Sequence, residues 1–230
     1  MEKIKLDSRL ESVASLVKKG SVVADVGTDH AYLLCYLIQK GICPSGIAAD
    51  LRKGPLANAQ QTVASCGLSD KIELILSDGL QNIKENSCDT IVMAGMGGIL
   101  ISEIIEKAPW VFNENITIIA QPMTHAEVLR KFLCENGFEI KREVASTDGK
   151  RLYCALEAQF TGVKTKENDS YYYLGELTKN NDETTKKYIE KMIFILNKKL
   201  EAQQKAGVSE SEELARVLSE IKLKVEQVNL

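Results

Sequence analysis

The chain has 230 residues, of which 44% are apolar, enough for one medium domain with an appendage or for two small domains. A formal net charge of −3 gives no overall basicity, so a nucleic acid would have to be bound by a local patch. The six cysteines form no C-x-x-C pair and there are only two histidines, so the composition offers no Cys/His zinc site and we expect no metal.

An amphipathic helix is predicted near the N-terminus, over residues 8–19. Ser8 can cap it, leucines and valines recur along one face, and Gly20 can end it. The basic side chains at this end form either a solvated face or a contact to a substrate phosphate, for which Arg9 is the best candidate.

A glycine turn between a strand over residues 22–26 and a helix over residues 31–40 is the central feature of the chain. Gly27 lets the backbone approach a ligand, and the following helix start offers unpaired N–H donors, as in nucleotide-like cofactor sites. Asp29 stands where a G-x-G-x-x-G dinucleotide motif requires glycine, and its carboxylate would repel a pyrophosphate. Together with Asp25 at the strand end, it favours a cationic ligand such as S-adenosylmethionine, which carries a sulfonium and an ammonium group.

Two further acids follow the next strands. Asp50 ends a strand predicted over residues 47–50 and stands 23 residues after Gly27, near the spacing at which a carboxylate takes the ribose hydroxyls of a bound nucleoside. Asp78 precedes Gly79 after the third strand, where it either accepts a hydrogen bond from an adenine amino group or forms an ordinary Asp-Gly turn. The agreement in spacing favours the cofactor interpretation.

A glycine-rich segment, A-G-M-G-G from Ala94, follows the fourth predicted strand. Its three glycines require close backbone approach or unusual φ/ψ angles, and ligands of open α/β sheets bind at the carboxyl ends of the strands. The fifth strand ends at Gln121-Pro122, which places an amide beside the same crevice.

Strands and helices alternate until a final hairpin, whose turn is signalled by Asp148-Gly149. This order predicts an α/β doubly wound sheet of seven strands, the last antiparallel, with an antiparallel strand at the edge. The other elements are predicted as helices over residues 52–65, 99–107 and 126–136 and strands over residues 71–76, 88–93, 116–120, 138–147 and 151–160.

The composition changes after the last strand. Residues 161–170 are polar and linker-like, so we expect two domains, 1–162 and 163–230. In the second domain apolar residues recur at heptad spacing in two runs, which predicts an antiparallel α-helical coiled-coil hairpin.

The sequence also predicts where the two hairpin helices end and begin, and it places many lysines on the first of them. Gly207 can end the first helix, and Ser209 with Glu212 can form a capping box for the second. The first helix is rich in lysine, which indicates either a solvated, salt-bridged surface or a grip for nucleic acid.

Six motifs follow one another along the chain: S-R-L-E-S-V-A at Ser8, D-V-G-T-D-H-A-Y-L at Asp25, A-D-L-R-K-G-P-L at Ala49, L-S-D-G-L at Leu76, M-A-G-M-G-G at Met93 and Q-P-M at Gln121. Together they resemble the bacterial tRNA (adenine-22 N1)-methyltransferase family, often called TrmK. The resemblance covers about residues 6–160, and the helical tail is similar to the C-terminal hairpin of that family. One departure is Leu34, which stands where the family motif has proline.

The resemblance implies a class I methyltransferase with a Rossmann-like sheet, which transfers a methyl group from S-adenosylmethionine to N1 of adenine 22 in bacterial tRNA. It implies a cofactor site formed by Asp25, Gly27, Thr28, Asp29 and His30 at the methionine end, Asp50 at the ribose, Asp78 and Gly79 at the adenine, and Leu51, Ala94 and Gly95. Residues 94–97 would face the target base and lack the Asn/Asp-Pro-Pro-Tyr motif of many amino-directed methyltransferases, which argues against N6 transfer.

Asp29 and Met96 are the residues we assign to the reaction centre. Asp29 either stabilises the cationic product base or only holds the cofactor ammonium. The target base must be unpaired or extruded, and we expect it to stack near Met96, Tyr32 or Pro122. The candidate contacts to RNA phosphates are Arg9, Lys53, Arg151, Lys198 and Lys199.

Two other functions stay open at this point. A small-molecule methyltransferase could use the hairpin for dimerisation, and a non-catalytic cofactor-sensing or RNA-binding protein is disfavoured by the complete set of acids. We expect a monomer or weak dimer. The sequence shows no signal-peptide pattern and no apolar run near the roughly 20 residues of a membrane span, so we expect a cytoplasmic protein.

Overall fold

Strands and helices alternate along most of the chain in the computed structural model, which describes residues 2–228. The strands are β1 Val23–Val26, β2 Gly46–Asp50, β3 Ile72–Leu76, β4 Thr90–Gly97, β5 Thr117–Thr124, β6 Phe138–Asp148 and β7 Arg151–Phe160. The helices are α1 Ser8–Leu16, α2 Tyr32–Gln39, α3 Lys53–Ser65, α4 Gly98–Glu106, α5 Ala126–Glu135, α6 Asp169–Leu174, α7 Glu183–Ala206 and α8 Ser211–Gln227, with short 3-10 helices at Pro109–Val111 and Gly175–Lys179. Met1, Asn229 and Leu230, which fall at the ends of the two predicted domains, lie outside the described residues.

The strands form a seven-stranded sheet in the order β3-β2-β1-β4-β5-β7-β6. Strands β1 to β5 pair in parallel, whereas β7 is antiparallel to both β5 and β6. The predicted α/β doubly wound sheet with an antiparallel last strand is therefore confirmed. The prediction that the antiparallel strand lies at the edge is wrong, because the tight turn at Gly149, with φ 57°, returns β7 into the place beside β5 and leaves β6 outside.

Alternate residues of the central strands enter apolar clusters on opposite faces of the sheet, as the pleat requires. On β1, Ala24 and Val26 pack into one cluster and Val23 into the other. Helices α4 and α5 cover the first cluster with residues such as Ile101 and Leu129, and α1, α2 and α3 cover the second. Burial on both faces explains why these strands are nearly continuous apolar runs in the sequence.

Helix α1 begins at a different cap from the one predicted. Asp7 Oδ1 accepts a hydrogen bond from the Leu10 N–H at 2.7 Å, so Asp7 and not Ser8 caps the helix. The helix ends at Leu16, whose carbonyl accepts a 2.9 Å hydrogen bond from Arg142 of β6. This contact helps to hold α1 against the sheet.

Helices α7 and α8 pack through an apolar seam. Gly207, with φ 66°, ends α7 as predicted. The predicted capping box is wrong, because the Ser209 hydroxyl bonds the Glu210 carboxylate at 3.1 Å and α8 starts without a side-chain cap. The buried residues of the seam are Ile189, Leu196, Leu214, Val217, Leu218 and Ile221.

The segment predicted as a linker leads into α6, which is fixed to the sheet domain by a buried ion pair. Arg130 Nε of α5 donates to Glu143 Oε1 of β6 at 2.9 Å, and both side chains are almost completely buried. The Arg130 guanidinium also donates to the carbonyl oxygens of Tyr172 and Tyr173, at 2.9 and 3.0 Å, while Glu143 Oε2 accepts from the Glu176 N–H at 2.6 Å. Burial lowers the pKa of Arg130, but the adjacent Glu143 carboxylate outweighs it and the pKa is raised overall. The pair therefore positions the start of the C-terminal helices.

No helix among residues 2–228 combines the length and the apolar character needed to cross a membrane. Over the same residues, no three acidic, histidine or cysteine side chains are grouped so that they could hold a metal ion. The six cysteines are buried as free thiols.

Candidate cofactor and substrate site

The carboxyl end of β1 carries the glycine turn at the centre of the site. Gly27 has φ 78°, and a Cβ atom there would lie only 2.2 Å from Met96 Cε, so the end of the Met96 side chain occupies the place that a side chain at this position would need. The N–H groups of Gly27 and Thr28 both donate to the Ala49 carbonyl, at 2.8 and 3.0 Å, which folds the turn over the end of β2. The Thr28 hydroxyl accepts from the Ala31 N–H at 3.1 Å, where the chain enters α2.

Asp25 is the buried acid of this site, with 8% of its surface exposed. Burial raises the pKa of its carboxyl group to about 6, opposed by the neighbouring Thr28 and Arg9 and reinforced by Asp50. Burial thus disfavours the ionised form of Asp25. A cationic ligand next to the carboxyl group would favour the ionised form again. The arrangement is suited to bind a positive charge.

Asp50 and Asp78 follow β2 and β3 and differ in exposure. Asp50 is buried, and its Oδ1 accepts from the Arg52 N–H at 2.8 Å, which leaves the other carboxylate oxygen for a ligand. Leu51 beside it is 63% exposed. Asp78 is exposed, and with Gly79, whose φ is 56°, it lines a small cavity of about 30 Å³ against α4. These residues lie at the carboxyl ends of neighbouring parallel strands, as the sequence predicted.

Asp29 and His30 lie at the exposed tip of the turn. Asp29 Oδ2 is 3.4 Å from His30 Nε2, and their side chains are 67% and 38% exposed. The rings of His30 and Tyr32 stack with centroids 5.0 Å apart and an angle of 6° between their planes. In contrast to the buried Asp25, the Asp29 carboxylate is accessible to a substrate.

The glycine-rich segment continues β4 and does not turn out of it. β4 runs to Gly97 and β5 to Thr124, so the strand ends predicted for both are too early. Met96 pairs with Pro122 and Gly97 with Thr124, and the register shifts on either side of Met96. Gly95, with φ 85°, forms this irregularity, which lets the ladder resume beyond it. Met96 is thereby held beside the glycine turn of β1.

Gly98, the first residue of α4, packs against the turn that precedes α5. A Cβ atom at this position would lie 2.2 Å from the His125 carbonyl oxygen and 3.1 Å from that of Thr124. We therefore expect Gly98→Ala to lower the free energy of unfolding by about 1–3 kcal/mol, because backbone must move to admit the methyl group. Chemical denaturation measures this change.

The matched control is Gly54→Ala in α3, where a Cβ atom meets no other atom within 4 Å. There alanine is expected to raise the free energy of unfolding by up to about 1 kcal/mol through its helix propensity. Equal stability of Gly98→Ala and the unmodified protein would contradict the close approach of α4 to this turn.

Arg9 reaches into the crevice from α1. Its Nη1 donates to the buried Gln121 Oε1 at 2.9 Å, and it lies 3.6 Å from the position of a Cβ on Gly95. Its charge also acts on Asp25. The Gln121 side chain is fully buried, and Arg9, which bonds it, is half-buried. The contact of Arg9 with a substrate phosphate stays a prediction. The sequence pointed to Arg9 as a substrate contact, but a basic residue on an amphipathic helix does not by itself predict the bond to Gln121 of β5.

The other basic candidates lie on exposed surfaces and do not form one cluster. Lys53 starts α3, on the β2–β3 side of the sheet, while Arg151 starts β7. Lys198 and Lys199 lie on α7, where Lys198 bonds Glu201 Oε2 at 3.0 Å and Lys199 lines a cleft toward the sheet. The structure thus separates Lys53 from the lysines of the hairpin.

Known proteins match most of the chain. Residues 6–156 match the protein family described as a methyltransferase domain. The tRNA (adenine(22)-N(1))-methyltransferase of Bacillus subtilis is 35% identical over 159 residues, which cover 69% of this chain and 67% of that protein.

Two solved structures are similar over the C-terminal helices as well as the sheet. The m1A22 tRNA methyltransferase TrmK of Bacillus subtilis has a TM-score of 0.83 at 27% identity and covers 98% of this chain and 99% of its own. A Streptococcus pneumoniae protein solved in complex with S-adenosyl-L-methionine has a TM-score of 0.82 at 30% identity and covers 94% of this chain and 99% of its own.

Proposed function

The chain belongs to the tRNA (adenine(22)-N(1))-methyltransferase family, and on this premise we propose how its own residues carry out the reaction. The enzyme transfers a methyl group from S-adenosyl-L-methionine to N1 of adenine 22 in tRNA. The observation that carries the assignment of roles is the placement of buried Asp25 and Asp50 at adjacent strand ends, with Asp29 exposed beside them. We expect the enzyme to act in the cytoplasm, as a monomer or weak dimer.

The residues at the ends of β1, β2 and β3 fit this cofactor. The buried Asp25 carboxylate is suited to its ammonium group, and Asp50 has an oxygen free for a ribose hydroxyl. Asp78 is exposed beside Gly79, where an adenine amino group can donate to it. When bound, the cofactor supplies an electrophilic methyl group on a sulfonium. The absence of a side chain at Gly27 lets Met96 pack over the turn beside which this methyl group would be held.

Cofactor binding is expected to weaken at acidic pH. The pKa of Asp25 is raised to about 6, so most of this carboxyl group is protonated at pH 5 and ionised at pH 7. Because the ionised form is the one that attracts an ammonium group, affinity should be about tenfold lower at pH 5 than at pH 7. Calorimetric titration with S-adenosylhomocysteine measures it.

Asp25→Asn is the control for this pH dependence. It should bind the cofactor more weakly at pH 7 and show little change between the two pH values. Because a raised pKa in the folded state makes ionisation destabilising, the ligand-free variant should gain stability over the unmodified protein as pH rises from about 4 to about 6. Equal cofactor affinity of the unmodified protein at pH 5 and pH 7 would contradict the role of Asp25.

Adenine N1 attacks with a lone pair that lies in the plane of the ring, so no proton has to be removed. The protein therefore contributes mainly by positioning the base and by stabilising the positive charge that the base acquires. We assign the second task to Asp29, whose exposed carboxylate can accept a hydrogen bond from the N6 amino group. The half-buried Met96 and the exposed Tyr32 are the surfaces on which the base can stack, whereas Pro122, the third candidate, is buried.

N1 lies on the Watson–Crick edge, so the target base must leave its pair or already be unpaired. The lysine-rich face of α7 is the surface we assign to the tRNA backbone. The double substitution Lys198→Glu and Lys199→Glu should raise the KM for tRNA at least about tenfold and reduce its salt dependence. Lys187→Glu, a single charge reversal near the start of the same helix, is the control and should change KM less. If the KM for tRNA and its dependence on salt are both unchanged in the double variant, α7 is not the surface that binds the tRNA backbone.

A small-molecule methyltransferase with the hairpin as dimerisation element is the competing function. One enzyme preparation, offered tRNA, free adenosine and short adenine-containing oligonucleotides in turn, distinguishes the two. The proposed function predicts transfer to tRNA with far higher kcat/KM than to the small acceptors. Efficient methylation of a small acceptor, unchanged by added tRNA, would favour the competing function.

A further inference from the structure

A cleft of about 450 Å³ lies between the end of β5 and the inner face of α7. Met123 and His125 line it from the sheet side, and Lys191, Met192, Ile195 and Lys199 line it from α7. Its volume is in the range of sites that enclose small organic ligands. Apart from Lys199, these side chains have no part in the site assigned above.

The cleft lies one strand away from the segment assigned to the target base. Pro122 and Thr124 border it, and they pair with Met96 and Gly97 of β4. Its mouth is therefore about 5 Å, one strand spacing, from the segment assigned to the target base. Across the carboxyl ends of the parallel strands, the cofactor acids lie on β2 and β1 and the target-base segment lies on β4. The cleft follows next, over β5 and β7. A nucleotide next to the target base is therefore within reach of this cleft.

The lining combines apolar and cationic groups. Met123 is 45% and Ile195 54% exposed, which leaves apolar surface open to a ligand. Lys191 and Lys199 stand exposed at the rim. The acidic lining residue Glu127 is engaged by His125 at 3.2 Å. Apolar walls with cations at the rim complement an unstacked base and its phosphate.

On the basis of the proposed function, we propose that this cleft binds the nucleotide that adjoins the target adenine in the tRNA. Its base lies against Met123, Met192 and Ile195, and its phosphate lies at Lys191 and Lys199. The two adjacent bases are then held on separate surfaces, one over β4 and one under α7. This keeps the target adenine from restacking on its neighbour while the methyl group is transferred.

Ile195→Trp tests the proposal by filling the cleft. Position 195 is more than half exposed, so a larger side chain can be accommodated without disturbing the core. The KM for tRNA should rise about tenfold, the contribution of one stacked base, while kcat and the affinity for S-adenosylhomocysteine stay within about twofold. The matched control is Phe194→Trp, at the neighbouring position, which is 61% exposed and outside the cleft lining. It should leave all three values unchanged.

A tRNA with an abasic site at one or the other neighbour of the target adenine completes the test. One of the two abasic substrates should have a KM about tenfold higher than intact tRNA with the unmodified enzyme. With Ile195→Trp, the same substrate should raise KM little further, since the abasic site and the substitution remove the same contact. Unchanged KM values in Ile195→Trp and with both abasic substrates, while intact tRNA is still methylated, would overturn the cleft proposal and leave the proposed function intact. A collapse of kcat in Ile195→Trp would also overturn it, because the cleft would then hold the target adenine itself. Failure of the unmodified enzyme to methylate tRNA would remove the proposed function.

Discussion

Replacing Asp29 with asparagine is expected to lower kcat for methyl transfer about 100-fold at saturating tRNA and cofactor. Asparagine keeps the size of the side chain and an oxygen that accepts a hydrogen bond, but it removes the negative charge. The positive charge that develops on the adenine ring would then lose its nearest assigned counter-charge. Because the Asp29 side chain is exposed, the substitution should leave the free energy of unfolding nearly unchanged.

Separate measurements of binding and turnover decide between the two roles open to Asp29. Cofactor affinity, measured by calorimetry, should fall less than tenfold in Asp29→Asn. Asp25→Asn is the matched control at the buried acid of the same turn, and there the main effect should be on cofactor affinity. If Asp29→Asn keeps its full kcat once cofactor is saturating, Asp29 only holds the ammonium group and the catalytic assignment fails.

Replacing Arg130 with methionine is expected to lower the free energy of unfolding by about 3–5 kcal/mol. The change leaves Glu143 buried without its partner and removes the donors to the Tyr172 and Tyr173 carbonyl oxygens. For a chain of this size the loss corresponds to a fall in Tm of about 10 °C. Hydrogen exchange should rise most in residues 169–228, since the pair fixes α6 to the sheet domain.

Lys141→Met is the control for this prediction, since Lys141 pairs with Glu139 on the surface and its loss should cost less than about 1 kcal/mol. Combining Arg130→Met with Glu143→Leu should restore part of the lost stability, because no unpaired charge then remains buried. A fall in Tm of only a degree or two in Arg130→Met would show that the pair does not anchor the C-terminal helices.

The architecture of the sheet could be predicted because it depends on local pattern. The parallel strands have four to eight residues, and all of them except β3 are followed by a helix, which leaves few topologies. Asp148-Gly149 marks the hairpin that brings in the antiparallel strand. The spacing of Asp50 from Gly27 follows from the same unit, since one helix and one strand separate them. The position of β7 inside the sheet could not be predicted, because either strand of the hairpin could pair with β5 and local pattern does not encode which one does.

The features that the sequence left undetermined depend on contacts between distant residues. Three glycines among the five residues 94–98 indicate a turn when only local sequence is considered. In the structure, the pairing of β4 with β5 continues past Gly95, because a bulge accommodates this residue. Arg130 is a charged residue on a helix and would be expected to face solvent, yet Glu143 meets it inside the protein. In the same way, the sequence places Asp25 in a strand and Asp29 in the turn after it, but the burial that raises the pKa of Asp25 depends on residues distant in the chain, such as Arg9 and Asp50.

Methyl transfer from labelled S-adenosyl-L-methionine to bacterial tRNA, followed by nucleoside analysis, is the most direct test that this enzyme methylates N1 of adenine 22. Two tRNA transcripts would be compared, identical except that adenine 22 is replaced by guanine in the second. We expect the label to appear as 1-methyladenosine in the first transcript and to be absent from the second. Label recovered as N6-methyladenosine, or equal labelling of both transcripts, would contradict the assigned chemistry and its target.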